Sequence, residues 1–348
     1  MTLAAVPAAT ERSALDHALR PLRTLLDEPA VTELCINRPG EAFVERSGPD
    51  APPWQRIALP VASFDWCLRL AKLVGHFTRQ RIDEESPLLS AALPSGERVQ
   101  FAIPPVTPPG CVAVTIRRPS ARSMTLDDLD RRGIFERVSV SGHSQHVPHD
   151  GLIQLLHAGR LREFVAAAVA ARKNVIVSGP TGSGKTTFTR ALIREIASHE
   201  RLITIEDAAE LDLDMHPNHV RLFYSKDGQG LARVTPQRLL EACLRMRPDR
   251  ILLAELRGDE AYDYLRNVCS GHPGSITSVH AASASLAFEQ LALLIRQNPA
   301  GRDLPRRELR ALLLQLVDVV IQFGFDGRSR VIREIWYDPT AREREAAQ

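Results

Sequence analysis

The sequence of 348 residues predicts an α/β protein with a smaller amino-terminal α+β domain and a carboxyl-terminal P-loop domain. Three observations predict this class. Short strand patterns broken by turn residues fill the first third of the chain. Continuous apolar strands alternate with helical patterns after residue 160. A glycine-rich strand–loop–helix junction lies at 179–186. The length suits about two domains, which we place at residues 1–120 and 160–348, joined by a linker at 121–159.

The amino-terminal domain begins with an amphipathic helix, because leucines recur between residues 15 and 26 at spacings of three and four. A second helix is predicted over Phe64–Thr78. β-strands are predicted at Val31–Asn37, Ala42–Glu45, Leu88–Leu93, Arg98–Ile103 and Val112–Arg117.

The carboxyl-terminal domain contains apolar runs of strand length, which are typical of a sheet buried on both faces. These runs are Asn174–Ser178, Leu202–Ile205 and Ile251–Ala254. Helices are predicted between them at Leu161–Arg172, Thr186–Ser198, Pro236–Met246 and Asp259–Cys269. Two final strands flank Asp326-Gly327, a hairpin signal.

Composition excludes several classes of protein. The 44 basic and 42 acidic residues give a net charge of +2, which does not favour a simple polyanion binder. The five cysteines are scattered without a CxxC pair, so neither a disulfide framework nor a zinc site is expected. We also expect no signal peptide and no membrane span, and hence attachment to a membrane only through partners or a surface patch.

The most specific motif is the segment Gly179–Thr186, which matches GxxxxGK[ST] between a strand and a helix. Glycines allow a tight turn whose N–H groups point at phosphate oxygens, and the helix amino terminus adds positive potential. Lys185 is placed to bind the β- and γ-phosphates, and the Thr186 hydroxyl to ligate Mg²⁺. The predicted phosphate-binding residues are Gly179, Thr181, Gly182, Ser183, Gly184, Lys185, Thr186 and Thr187.

Three acidic residues follow apolar strands and are candidates for metal binding and water activation. Glu206 and Asp207 end one strand, and Glu255 ends another. Because ligands bind beyond the carboxyl ends of parallel strands, all three should face the crevice of the phosphate loop. A carboxylate there can hold Mg²⁺ through water or deprotonate the attacking water. The structural alternative is that these acids cap the following helices.

Two histidines, His272 and His280, bracket a further strand-like stretch. Each is a candidate sensor of the γ-phosphate by hydrogen bonding, and the alternative is a histidine whose bonds are purely structural.

Taken in order, these motifs resemble the secretion-superfamily ATPases. The matching boxes are Gly179–Thr186, Ile205-Glu206-Asp207, Glu255-Leu256-Arg257-Gly258, and Gly271-His272-Pro273-Gly274-Ser275 with His280-Ala281. Their order and spacing fit the family's Walker A, Asp box, Walker B and His box. Within the superfamily the chain most resembles the hexameric ATPases of bacterial type IV secretion systems, over roughly residues 15–337.

The resemblance implies a RecA-like carboxyl-terminal domain, ATP and Mg²⁺ as cofactors, and nucleotide bound between the two domains. It also implies a homohexamer at the cytoplasmic face of the inner membrane. Such a ring contacts membrane-embedded secretion components and powers pilus assembly or the transfer of a protein or DNA substrate. On this resemblance Glu255 is the Walker B glutamate, Glu206 or Asp207 assists metal or water, and His280 positions the γ-phosphate.

An arginine is needed as well, because phosphoryl transfer develops charge on the γ-oxygens. Arg117 and Arg118 resemble the family's amino-terminal arginines that reach nucleotide, and Arg257 is a second candidate. The alternatives are solvated linker charges for the first two and a structural ion pair for Arg257.

Three other functions remain open at this point. A nucleic-acid helicase is compatible with the fold, but the aromatic content of 5% and the net charge of +2 do not favour it. A motor that assembles or retracts a type IV or tight-adherence pilus uses the same chemistry. A P-loop kinase is favoured less, since the long amino-terminal module and the His box suggest neither an acceptor pocket nor a lid. The absence of a four-cysteine zinc module argues against the type II secretion branch.

Overall fold

Two groups of β-strands organise the chain, one before residue 118 and one after residue 174. The computed structural model describes residues 9–48, 51–118, 151–225, 234–326 and 329–339. Most of the predicted linker therefore lies outside the described residues. Its last part, Gly151–His157, forms a short helix. The predicted α/β class is confirmed, with a smaller amino-terminal α+β unit.

The amino-terminal unit is an antiparallel sheet covered by two helices. In chain order its elements are α1 (Ala9–Leu26), β1 (Val31–Ile36), β2 (Gly40–Arg46), β3 (Gln55–Leu59), α2 (Phe64–Thr78), β4 (Leu88–Ala92), β5 (Arg98–Ala102) and β6 (Ala113–Arg117). The strand order is β3-β2-β1-β6-β5-β4. The Ser63 side chain caps α2 by accepting a hydrogen bond from the N–H of Trp66. The helices pack their leucines and valines against the strands in one core.

The carboxyl-terminal unit alternates helices and mostly parallel strands. Its elements are α3 (Gly151–His157), α4 (Leu161–Ala170), β7 (Val175–Ser178), α5 (Lys185–Arg194), β8 (Leu202–Glu206), β9 (His219–Phe223), α6 (Pro236–Cys243), β10 (Arg250–Leu253), α7 (Glu260–Cys269), β11 (Ile276–Val279), α8 (Ala284–Ile295), α9 (Arg306–Leu316), β12 (Val319–Asp326) and β13 (Ser329–Tyr337). The parallel strands β7, β8, β10 and β11 are buried at every position, which is why they read as continuous apolar runs.

Two sheets meet along β10 and β11. One has the order β10-β8-β9 and the other β11-β7-β12-β13. Serine hydroxyls join them: Ser275 Oγ donates to the Ile251 carbonyl at 3.0 Å, and Ser278 Oγ to the Ala254 carbonyl at 3.0 Å. The carboxyl ends of β7, β8, β10 and β11 therefore lie along one side of a nearly continuous layer.

Two completely buried arginines hold the opposite, amino-terminal ends of β8 and β10. Arg250 makes a bidentate ion pair with Glu200, at 2.9 and 2.8 Å. Burial acts to raise the pKa of Glu200, but the bonds and charges of Arg250 and Arg172 outweigh it and hold that pKa below its ordinary value. Arg201 donates instead to neutral oxygens, including the Met246 carbonyl at 2.9 Å.

Arg201 also joins the two units. Its guanidinium donates to Asn37 Oδ1 at 2.8 Å and to Asn218 Oδ1 at 2.5 Å. The Asn37 amide in turn donates to Asn218 Oδ1 at 3.0 Å. Nearby, Arg247 pairs with Glu45 at 2.7 Å. The amino-terminal unit thus contacts residues that precede β8, β9 and β10. It also packs Ala102, Val106 and Ala113 into the core of the carboxyl-terminal unit.

Some elements were not expected from the sequence. The strands β3 and β9 lie at sheet edges, where residues are only partly buried and the apolar pattern is weak. The helices α8 and α9 also had no predicted counterpart. Within the part of the chain that the structure describes, no helix combines the length and hydropathy needed to cross a bilayer.

We expect Arg201→Met to lower the free energy of unfolding by about 3 kcal/mol, because it strips a buried hydrogen-bond network of its donor. Urea unfolding of the full chain, followed by circular dichroism, measures this. The matched control is Arg307→Met, at an exposed position on α9, which should change stability by less than about 0.5 kcal/mol. Equal effects of the two substitutions would contradict the role of Arg201 as the joint between the units.

Candidate active site

The loop between β7 and α5 can be built only with glycines. Gly179 has φ +153°, and a Cβ there would lie 2.8 Å from Ser183 Oγ and 2.9 Å from Phe323 Cβ. Gly182 and Gly184 have φ +76° and +99°, a left-handed region that side chains with a Cβ rarely adopt. The loop therefore wraps tightly and leaves its main chain accessible.

Helix α5 begins directly at Lys185, so the N–H groups of its first turn have no acceptor within the helix. The Lys185 ammonium donates to the Gly179 carbonyl at 2.8 Å and to the Pro180 carbonyl at 3.1 Å. Burial lowers the pKa of Lys185, while the nearby Glu255 carboxylate acts to raise it. A positive group and a set of free N–H donors thus converge at one point, as phosphate binding requires.

Lys185 begins a series of polar and charged contacts that crosses the crevice, which we call the ionic chain. Its ammonium lies 3.2 Å from His280 Nδ1. On the other side of the ring, His280 Nε2 lies 2.6 Å from Glu255 Oε1. The imidazole therefore bridges the residue of the phosphate loop and the acid that follows β10.

The ionic chain continues from Glu255 to Arg257. Its guanidinium pairs with Glu255 and reaches Asp207 Oδ2 at 3.4 Å. Hydrogen bonding to Glu255 raises the pKa of Arg257 above its ordinary value, against the smaller effect of burial. Four of the predicted site residues, His280, Glu255, Arg257 and Asp207, thus form one network with Lys185.

Glu206 belongs to a separate network. It is fully buried and accepts hydrogen bonds from Arg221 Nε at 3.0 Å and Nη2 at 2.9 Å. It also accepts from Thr204 Oγ1 at 2.7 Å and from the N–H groups of Glu210 and Leu211. These bonds hold the loop after β8 in place, and this contact pattern is that of a structural acid.

Comparison with known proteins now identifies the family. The sequence pattern of the type II/IV secretion system proteins matches residues 16–321. The chain is 46% identical over 341 residues to the type IV secretion system protein VirB11 of Brucella suis biovar 1, covering 96% of this chain and 93% of that protein. It is 43% identical to the protein VirB11 of Agrobacterium fabrum, covering 94% of each.

The chain belongs to the type II/IV secretion system protein family. A solved structure agrees: the VirB11 ATPase of the Brucella suis type IV secretion system, in complex with sulphate, superposes with a TM-score of 0.90. The two sequences are 44% identical, and the match covers 97% of this chain and 98% of the chain in that structure. The resemblance predicted from the four motifs is confirmed, and with it the ATPase assignment.

Other predicted residues of this family member lie away from the ionic chain. His272 precedes β11 and His280 follows it, so a strand of four residues, on the order of 13 Å long, separates them. His272 instead contacts Ser270, with 3.3 Å between Nδ1 and Oγ. Burial, with a further contribution from the Arg247 charge, lowers the pKa of His272.

The two amino-terminal arginines are engaged within their own unit. Arg117 forms an ion pair with the buried Glu33, and Arg118 donates to the Glu28 carbonyl. Arg117 also lines a cavity of about 480 Å³ together with Arg98 and Arg245. Arg245 lies before the amino-terminal end of β10. The phosphate loop of the same chain follows the opposite, carboxyl end of β7.

The donor set fits the magnesium ion that the family's chemistry implies. Thr186 lies in the first turn of α5 beside Lys185, and the half-exposed crevice also contains the carboxylates of Glu255 and Asp207. Hydroxyl and carboxylate oxygens are the ligands that Mg²⁺ prefers. Across the described residues, no group of three histidine, cysteine or acidic side chains forms a ready-made metal cage. The site thus suits an ion that phosphates help to hold.

Three residues near the site were not predicted. Arg221 neutralises Glu206, Phe323 of β12 packs against Gly179, and Arg330 of β13 approaches Gly184. Arg221 could have been suspected from its alternation with buried residues in β9. The other two come from the carboxyl-terminal hairpin, which only the sheet order places beside the loop.

We expect Glu206→Gln and Asp207→Asn to act differently. The first deprives Arg221 of the buried carboxylate with which it pairs and should lower the free energy of unfolding by about 2–3 kcal/mol. The second alters a partly exposed pair and should cost about 1 kcal/mol or less. Thermal or urea unfolding of each variant checks this. If Glu206→Gln were as stable as the native chain, Glu206 would not be the anchor of its loop.

Proposed function

We propose that this protein is an ATP-hydrolysing homohexameric motor that energises type IV secretion at the cytoplasmic side of the bacterial inner membrane. The observation that carries the proposal is the His280 bridge between Lys185 and Glu255. This bridge joins the phosphate loop after β7 to Glu255, the acid that follows β10. The chain also belongs to a family of secretion system proteins. The close similarity to the Brucella suis VirB11 ATPase supports the same machine.

In the proposed reaction, phosphates lie in the loop Gly179–Thr187 against the N–H groups of α5 and the Lys185 ammonium. Thr186, through its hydroxyl, and Glu255, through water, would hold Mg²⁺, which would neutralise charge on the phosphates. Glu255 orients the attacking water and accepts its proton. His280, which contacts both Lys185 and Glu255, senses or positions the γ-phosphate.

The two acidic residues after Ile205, Glu206 and Asp207, have different roles in this proposal. Asp207 contacts Arg257 and so belongs to the catalytic network, where it assists Glu255. Glu206 positions the loop that carries Asp207. Arg257 neutralises both carboxylates and keeps the crevice organised before phosphate enters.

The partners follow from the same assignment. A ring of six copies contacts membrane-embedded components of the secretion system and acts indirectly on a secreted protein or DNA. A pilus assembly or retraction motor would share this chemistry, but the similarity to VirB11 favours secretion. A P-loop kinase has no support from the residues around the loop.

We expect Lys185→Ala to abolish Mg²⁺-dependent ATP hydrolysis, because it removes the positive charge on the phosphates. Glu255→Gln should still bind ATP but hydrolyse it at least about 100-fold more slowly, since an amide cannot accept the proton. Steady-state phosphate release and binding of a fluorescent ATP analogue measure the two effects. If Glu255→Gln hydrolysed ATP at the native rate, another acidic residue would have to activate the water.

We also propose that Arg117 acts on the nucleotide of a neighbouring subunit, because it lines a cavity with Arg245, which precedes β10, whereas its own phosphate loop follows the carboxyl end of β7. Arg117→Ala alone should lose about 100-fold or more in hydrolysis. Mixing it with Lys185→Ala should restore part of the activity, since each inactive subunit supplies what the other lacks. Arg118→Ala serves as the matched control and should retain most activity. No recovery in mixed rings would rule out a role of Arg117 between subunits.

A further inference from the structure

The carboxyl-terminal hairpin of β12 and β13 extends past the end of its parallel neighbour and lies beside the phosphate loop. β12 pairs with β7 as far as Gln322, which lies opposite Ser178. β12 then continues to Asp326, so residues 323–326, on the order of 13 Å of strand, run past the end of β7 where the loop begins. The hairpin therefore lies along one side of the phosphate loop.

One face of the hairpin is directed at α5 and the loop that precedes it. Phe323 marks this face, because its ring centroid lies 5.0 Å from that of Phe188 in α5. Phe325 is two residues further along the strand and therefore points to the same face. In the register of the hairpin Arg330 lies opposite Phe325, and Ile332 lies opposite Phe323. Residues directly opposite each other in an antiparallel pair share a face, so all four side chains project toward the loop and α5.

Three side chains on this face are open to solvent. Phe325 and Ile332 are 40% and 41% exposed. A Cβ at Gly184 would lie 3.4 Å from Arg330 Cδ, so the stem of Arg330 lies against the phosphate loop. Arg330 is exposed, and within the ranges that the structure describes no carboxylate pairs with it. We call Phe325, Arg330 and Ile332 the hairpin platform, which offers an apolar surface and an available cation next to the loop.

The order of the strands determines which end of a bound nucleotide meets the platform. That order is β11-β7-β12-β13, so β11 and the hairpin lie on opposite sides of the loop that follows β7. His280 follows β11 and contacts Glu255, and in the proposed reaction these two residues face the γ-phosphate. The chain of phosphates crosses the loop from that side. The ribose and the base then emerge on the side of β12 and β13.

We propose that the hairpin platform binds the nucleoside half of the nucleotide, a role that rests on the ATPase function proposed above. The base stacks on the Phe325 ring and packs against Ile332, since an aromatic side chain offers a flat apolar surface to any base. The Arg330 guanidinium donates to oxygens of the phosphate next to the ribose. The loop by itself recognises only phosphates, and the platform adds a preference for a nucleotide over an inorganic phosphate chain.

Calorimetric titration of the full chain with ADP and with inorganic pyrophosphate, both with Mg²⁺, tests the proposal. The two ligands each have two phosphates and differ by the nucleoside. The native chain should bind ADP at least about tenfold more tightly than pyrophosphate, and Phe325→Ser should weaken ADP about tenfold and leave pyrophosphate unchanged. Phe325→Trp keeps an aromatic face and should bind ADP like the native chain. Arg330→Gln should weaken both ligands, since both place a phosphate beside the guanidinium.

Leu244→Ser is the matched control. Leu244 is 38% exposed, close to Phe325, but it precedes the amino-terminal end of β10, so its replacement should change neither affinity. Circular dichroism checks that each variant is folded. Native ADP affinity in Phe325→Ser, or an equal loss of ADP and pyrophosphate in that variant, would overturn the platform and leave the proposed function intact. A native chain that bound neither ligand would overturn both the platform and the proposed ATPase function.

Discussion

The parallel pairing of β8 with β10, held at its amino-terminal end by two buried arginines, is the constraint on which the active site depends. Arg250 and Arg201 lose all contact with solvent, and each is compensated by fixed oxygens at the start of a strand. A buried guanidinium tolerates little displacement, because any lost partner leaves a charge uncompensated. The register between the strands is therefore fixed, and Leu253 lies opposite Ile205.

The register of β8 and β10, fixed at their amino-terminal ends, determines which side chains meet at their carboxyl ends. The acid after β10, Glu255, and the acid after β8, Asp207, come within reach of a single guanidinium, that of Arg257. The serine bonds between β10 and β11 then bring His280 to Glu255. Because Arg201 directly precedes β8, the joint between the two units and the catalytic network lie at opposite ends of the same strand. The crevice at the carboxyl ends of the strands has alternating charges that hold one another in place, which suits an anionic ligand that replaces some of those pairs.

The sequence by itself determined the α/β class, the phosphate loop and the acids that end the buried strands. Each of these depends on local chemistry: glycine at positive φ, apolar runs in buried strands, and a cation at a helix terminus. Only the tertiary structure decided that Glu206 pairs with Arg221 while Asp207 joins the ionic chain, and that His272 and His280 lie at opposite ends of β11. Adjacent residues of a strand end point in different directions, and their partners come from distant elements. The edge strands β3 and β9 likewise were not predicted from the sequence, because partial burial weakens the apolar pattern that indicates a strand.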